Sequence, residues 1–381
     1  MKTKITYVSG ILSALTTGHA YAQSSVTLYG IVDASMIYTS NQKGSANYQF
    51  KSGNLGGSRW GLRGVEELGA GTTAVFDLEN GFNLGNGTNG AGNREFGRYA
   101  FVGLHQKGIG LFSLGRQNPI STELVSGFFG DGFWTPATHI GDNDDMNSYY
   151  RVNNSVKFVS DPIYGFVFGG HYGFSNAAGA FANNRSWSGG ASYKLGSWSS
   201  GVSYVVLDHP NSTTNINGSV GGSSTSGDDY STAFFYGVDG GVAREKTLGA
   251  GTGYTYNKFI AGLGYSNVSL DYNDGGHRRL NNIDANLRYQ LTPSVLMVAD
   301  YTYTFGDSSR TVASASINNQ VAPHWHQVNL GASYAFSKRT QLFALVEFQR
   351  ATGAVAYLPA AGTASSSRNQ TAIALGMRNL F

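Results

Sequence analysis

The chain has 381 residues, with 26 Lys and Arg against 23 Asp and Glu, no cysteine, 53 glycines, 13% aromatic residues and 13% charged residues. Glycine is about twice its usual share of roughly 7%, and charge about half its usual share, which excludes a disordered chain, and the missing cysteine excludes a disulfide scaffold or a zinc-finger array. Mean hydropathy is −0.21, and past the N-terminus no apolar run of about 18 residues exists, which excludes a helical membrane protein and leaves a chain whose apolar residues alternate with small polar ones.

The first segment reads as an address. Lys2 and Lys4 precede a short apolar run, Ile5 to Leu15, and Ala20-Tyr21-Ala22 has the small-x-small form of a secretory cleavage site. Cleavage between Ala22 and Gln23 removes two lysines and no acid, lowering the formal charge from +3 to +1. A balance so near zero offers no basic stripe for nucleic acid.

From there to the end, period-2 alternation is the dominant signal. It places strands near 25–39, 57–66, 71–82, 94–106, 109–117, 152–160, 164–174 and 186–195. Eight more fall near 197–207, 243–256, 258–271, 279–291, 294–306, 324–336, 340–350 and 368–381. In the strand after Ser294, Val295, Met297, Ala299, Tyr301, Tyr303 and Phe305 share one face. Asp300, Thr302 and Thr304 share the other, although Leu296 and Val298 lie there too. Tight turns near 68–70, 107–108, 195–197, 257–258, 292–293 and 337–340 alternate with long polar segments at 40–56, 83–93, 118–151, 208–242, 307–323 and 351–367. A soluble sandwich has no reason to sort its loops by parity. A transmembrane antiparallel barrel does, with short periplasmic turns, long extracellular loops and an even strand number, and closure satisfies every backbone group in lipid. The expectation is an all-β barrel of about sixteen strands, with small polar residues facing the lumen and apolar and aromatic residues facing lipid. Ile373, Leu375 and Met377 continue one face of the last strand, and the terminal Phe381 looks like an outer-membrane assembly signal.

Several segments resemble one family: SSVTLYGIVD ending at Asp33, Ser58–Gly69 (SRWGLRGVEELG), Arg98–Leu104 (RYAFVGL), Gly115-Arg116-Gln117 and Asn154–Lys157 (NSVK), together with the terminal Phe. They are similar to Gram-negative general porins, especially the trimeric betaproteobacterial type. The resemblance implies homotrimers of water-filled barrels in the outer membrane, passing small hydrophilic solutes without a cofactor. It implies a third long loop folded into the lumen. Expected partners are outer-membrane lipid, lipopolysaccharide and, through the C-terminal strand, the barrel-assembly machinery.

Alternation independently selects candidate pore residues. Arg59 and Arg63 alternate with Trp60 and Leu62. An arginine facing lipid at mid-bilayer costs about 2–4 kcal/mol, so both are expected to face inward. Arg98 opposes Tyr99 and Phe101 in the same way, and Arg151 opens a strand after the long segment. The resemblance gives Arg59, Arg98 and Arg151 the role of a basic row at the constriction, with Arg63 and Arg116 as lesser candidates; each could instead bond loop backbone. The segment 118–150 holds Glu123, Asp131, Asp142, Asp144 and Asp145, which could oppose that row and set a transverse field. Asp131 is the first choice, because flanking glycines permit a tight turn. Asp142–Asp145 could alternatively bind a divalent cation, although they lack the Gly and distal Glu of a Ca²⁺ loop. Asp77 and Glu79 also face inward by parity, either lining the lumen or pairing with arginines. His324 and His326 share one strand face, without a third metal ligand. No nucleophile elbow or phosphate loop is present, so no catalytic residue is expected. The function expected is a general diffusion pore with anion preference or little preference; the alternative is a solute-specific channel or a surface-interaction barrel.

Overall fold

The computed structural model describes residues 24–130, 135–148, 150–221, 230, 241–308 and 322–381. The Ala22–Gln23 junction and Asp131 lie outside the described residues. Among the described residues, seventeen strands form one antiparallel sheet. They are β1 (Ser25–Gln42), β2 (Ser45–Ser52), β3 (Arg59–Gly69), β4 (Thr72–Gly81), β5 (Tyr99–Gln106), β6 (Gly110–Gln117), β7 (Val152–Ser160), β8 (Phe166–Gly173) and β9 (Arg185–Leu195). Then follow β10 (Trp198–Asp208), β11 (Val242–Tyr256), β12 (Phe259–Tyr272), β13 (His277–Thr292), β14 (Val295–Ser308), β15 (His324–Ala335), β16 (Thr340–Thr352) and β17 (Asn369–Leu380).

Closure comes from β1. One edge pairs with β17, from Ile31 opposite Leu380 to Thr39 opposite Ala372. Its other edge pairs first with β2 and then with β3. These two strands therefore share one stave, and the barrel has sixteen. At the seam, Gly30 and Phe381 exchange both backbone hydrogen bonds, at 2.9 and 3.1 Å. The Phe381 ring lies over Gly30, in the space a β-carbon there would need.

Three features of the sequence reading require correction. The segment 40–56 is not an open loop. Lys43 and Gly44 both take positive φ (52° and 109°), the geometry of a two-residue hairpin turn whose twist matches the flanking strands. β2 then returns with Tyr48 and Phe50 outward, extending the lipid face. The stave breaks at Gly53, where φ is +74° and a β-carbon would meet Gly57 at 2.8 Å. The Asp33 carboxylate holds the resulting kink by accepting the N–H groups of Asn54 (2.9 Å) and Gly56 (3.2 Å). Second, residues 94–98 are not strand; β5 starts at Tyr99.

Third, the inner wall is not uniformly polar. Outward residues are apolar as expected, for example Leu342, Val346 and Phe348 on β16. The inward face, however, also carries buried Val205, Leu207, Val268, Leu270, Phe343 and Leu345. They are dry because loops fold onto them. Leu358, Ala360 and Ala361 of the last long loop cover Phe343, Leu345 and Val298. Ile140, Tyr150, Val220, Tyr230 and Ala354, from three different loops, cover Val205, Leu207, Val268 and Leu270. Burying each such large side chain contributes about 1.5–3 kcal/mol, which fixes the loops inside the barrel.

Candidate functional site

The loop after β6 turns into the barrel at once. A short helix, α1 (Ile120–Leu124), lies against β8, β9 and β10. The wall makes room by omitting side chains: a β-carbon on Gly251 would meet Phe128 at 2.5 Å, and one on Gly264 would meet the Phe129 ring at 2.5 Å. Ile120, Leu124, Val125, Phe129 and Met146 form the apolar contact beneath the loop. Beyond α1 the loop is fastened to β13 and β15. The Gly130 N–H donates to Asp284 (3.0 Å), Asn286 donates to the Phe128 carbonyl (2.8 Å), and Gln327 donates to the Pro136 carbonyl (3.1 Å).

The carboxylates of this loop mostly serve its own architecture. Asp144 is fully buried, bonds Nδ1 of His139 at 2.8 Å and accepts from the Ser266 hydroxyl. Burial works against its charge, yet the charge and hydrogen bond of His139 outweigh it and hold the Asp144 carboxyl below the usual range. Nε2 of His139 lies 3.9 Å from Asp284. Asp142 accepts the Asn147 N–H (3.1 Å), and Asp145 accepts the Tyr150 N–H (3.0 Å). Burial, and then the charge of Asp142, push the Asp145 carboxyl well above its ordinary value. Glu123 differs: its side chain keeps 38% exposure and pairs with Lys157 at 2.8 Å.

The opposite wall carries the arginines. Arg59 and Arg63 point inward from β3, as alternation requires, and meet the two carboxylates of β4. Arg63 bonds Asp77 at 2.7 Å; Arg98 bonds Glu79 at 2.5 Å, and Arg59 lies 3.6 Å from Glu79. The Tyr29 hydroxyl donates to both acids, at 2.6 Å to Asp77 and 3.0 Å to Glu79, and its ring lies under the Arg63 guanidinium. Three guanidinium groups thus share two carboxylates, leaving one excess positive charge. Side-chain exposures of 57% for Arg63, 26% for Arg59 and 23% for Arg98 show that the cluster is wet, while its carboxylates are only about 5% exposed.

Arg151 lies close enough for its charge, like that of Arg98, to act on Arg59, but it is buried and donates to the Ser148 carbonyl at 2.6 Å. Arg116 stands apart. It is buried between the Gly97 carbonyl (2.8 Å) and Asn153 (2.5 Å), pinning loop backbone. Tyr29, His139, Asp284 and Arg378 escaped the sequence reading. The Arg378 guanidinium lies 3.6 Å from where a Gly56 β-carbon would stand, and that of Arg98 lies 3.5 Å from the same point on Gly57. Both therefore flank the kink of the second stave. Parity alone marks Arg378, which alternates with Leu375 and Met377, and marks Asp284 beside Ile283. Nothing local marks His139 or Tyr29. His324 and His326 lie on the outer surface, and the described residues contain no group of three His, Cys, Asp or Glu placed to hold a metal.

A closed sixteen-stave barrel with an apolar outer face, an in-folded loop and a wet basic wall defines an outer-membrane channel protein. The chain belongs to the Gram-negative porin family, whose model matches residues 10–354. It is 38% identical over 199 residues to an outer membrane porin protein of Bordetella pertussis, covering 48% of this chain and 51% of that one. The chain spans about half the length of the curated relatives it matches at 35% identity or more. Among solved structures, it superposes on an anion-selective porin from Comamonas acidovorans with a TM-score of 0.74 and 23% identity, covering 94% of this chain and 100% of the other. It superposes on the trimer form of OmpT, an outer membrane protein of Vibrio cholerae, with a TM-score of 0.67 and 16% identity, covering 94% and 99%.

Proposed function

We propose that the chain forms a water-filled pore for passive diffusion of ions and small hydrophilic solutes across the outer membrane, with a preference for anions. The observation that carries this reading is the imbalance of accessible charge. Arg59, Arg63 and Arg98 are wet while their carboxylates are buried; Asp142, Asp144 and Asp145 across the lumen are buried as well, and the one exposed loop carboxylate among the described candidates, Glu123, is paired with Lys157 at 2.8 Å. Ions in the gap therefore meet guanidinium groups, and a ring of one charge sign sets ion preference. The anion selectivity of the Comamonas acidovorans porin supports the same direction. Passive diffusion needs no bound cofactor or catalytic group, and the wall charges act only on what passes. The trimer form among the solved relatives supports assembly as a homotrimer, and the terminal Phe381 strand supports recognition by the barrel-assembly machinery.

Purified protein in planar bilayers should give large, ohmic, stepwise conductance, with a reversal potential in a KCl gradient that favours chloride. Absence of stepwise conductance sinks the pore; a potential favouring potassium sinks the selectivity while leaving the pore.

A further inference from the structure

Two aromatic side chains of β5 stand on the opposite face from the one alternation gives them. Beside an inward Arg98, Tyr99 and Phe101 are expected to face lipid, but register places both inside. Tyr99 lies directly opposite Glu79 and Phe101 directly opposite Asp77, the two acids that hold the wall arginines, while Val102 and Leu104 are the exposed outward residues of the strand. The two rings meet edge to face at 6.0 Å. Both keep partial exposure, and neither belongs to the aliphatic-rich clusters that the loops seal.

Asp77 is also directly opposite Arg63. Arg63, Asp77 and Phe101 therefore form one row across three strands, about 10 Å from end to end at roughly 4.8 Å per strand. Asp77 is buried and bonded by both Arg63 (2.7 Å) and the Tyr29 hydroxyl (2.6 Å), so it offers little accessible negative charge. A third ring stands at the Arg63 end. Tyr29 occupies the space of the missing Gly61 side chain, 2.8 Å from where its β-carbon would be, and its ring centroid lies 4.9 Å from the Arg63 guanidinium. Arg63 still keeps more than half of its side chain in water. β5 runs from Tyr99 down to the short turn near 107–108, so this row lies on the periplasmic side of Arg59, Arg98 and Glu79.

A wet guanidinium flanked by rings selects differently from a bare positive charge. Charge alone treats anions of equal size alike. A planar ring adds edge-to-face or offset stacking on Phe101, and its face can take up the guanidinium as that of Tyr29 already does. A few polar groups set among aromatic faces are also the usual lining of a small-molecule site. We propose that the Arg63–Asp77–Phe101 row is a binding subsite for aromatic carboxylates, the carboxylate on Arg63 and the ring against Phe101. The subsite rests on the pore reading above and names a class of solute that the pore favours.

The test titrates the chloride current of single channels in planar bilayers with benzoate, cyclohexanecarboxylate and benzylammonium, and reads the concentration that halves the current. The two acids share charge and ring size, and the saturated one is the more hydrophobic, so greasiness cannot produce a preference for benzoate. Benzoate should act at about two- to tenfold lower concentration than cyclohexanecarboxylate, and benzylammonium should be the weakest. Phe101→Leu should erase the advantage of benzoate, and Arg63→Gln should weaken both acids; heat-shifted gel migration reports that the variants are folded. Equal block of the wild-type channel by the two acids overturns the proposal, and that comparison requires no variant. So does benzylammonium acting as strongly as benzoate, or a Phe101→Leu channel that keeps the full preference. Absence of any conductance removes the pore and the subsite together, whereas equal block removes the subsite alone.

Discussion

Arg98 and Glu79 offer a pair of perturbations with opposite signs at one point of the inner wall. The wall cluster carries three guanidinium groups and two carboxylates, so Arg98→Gln brings its net charge from plus one to zero and Glu79→Gln raises it to plus two. A unit charge about 4 Å from a passing ion is worth about 1 kcal/mol in water. Screening with a Debye length of about 10 Å at 0.1 M salt reduces that to about 0.7 kcal/mol, roughly threefold in local ion occupancy. The effect reverses sign between anion and cation, so the chloride-to-potassium permeability ratio should change by up to about tenfold per substitution. The barrel should survive both changes. In the Arg98 variant Glu79 keeps the Tyr29 hydroxyl at 3.0 Å and Arg59 at 3.6 Å, so the cost is that of one lost charged hydrogen bond, about 1.5–3 kcal/mol. Reversal potentials in a KCl gradient should then order as Glu79→Gln most anion-preferring, wild type between, and Arg98→Gln least. The differences should shrink at 1 M salt, where the Debye length is about 3 Å. A series out of this order, or one that ignores salt, refutes the assignment of this cluster to the ion path.

Three further outcomes are expected. Asp145 binds its proton more tightly in the folded loop than in the unfolded chain, because burial and Asp142 raise its pKa; its contribution is therefore complete at low pH and is lost as pH rises through the raised value. Asp145→Asn, which mimics the protonated form, should slow hydrogen exchange of the Tyr150 amide at neutral pH, and faster exchange would contradict this. Gly264→Val places a side chain where the Phe129 ring already stands, an overpacking cost of about 1–3 kcal/mol; it should appear as open-channel current noise and as new protease sites within 118–150, and a quiet, resistant channel would dismiss the packing account. Mass spectrometry of protein extracted from outer membranes should find a mature N-terminus at Gln23.

Strand positions were legible because inside and outside of this wall differ at every second residue, and that contrast survives in the sequence without any tertiary information. The hairpin at Lys43-Gly44 was not. A Lys-Gly pair reaches the same positive φ values as Asn-Gly but has weaker turn preference, and the polar inward residues Asn47, Gln49 and Lys51 made β2 look like loop. Places where alternation fails were informative in a different way. Val205-Val206-Leu207 and the pair Leu296 and Val298 put apolar side chains on both faces, which a wet lumen would not tolerate. Leu296 and Val298 belong to the cluster under the last loop, and Val205 and Leu207 to the one that receives Ile140 and Tyr150. An apolar residue on the inward parity of a barrel strand thus marks the landing site of a loop.

That rule also explains why the loop acids read differently from the wall arginines. A carboxylate in the sequence of an in-folded loop has two fates, facing the gap or fastening the loop, and composition cannot separate them. Asp142 and Asp145 each accept a backbone N–H five residues ahead, and Asp144 takes the imidazole of His139, so all three are needed to satisfy polar groups in a turn without regular structure. Arg59 and Arg63 have no such obligation, because the β3 backbone is already paired on both edges, and their side chains are free to combine with β4 and still reach water. The proposed selectivity of the pore therefore rests on the difference between a regular element and an irregular one: the strand leaves its charges available, and the loop uses its charges to hold its own shape.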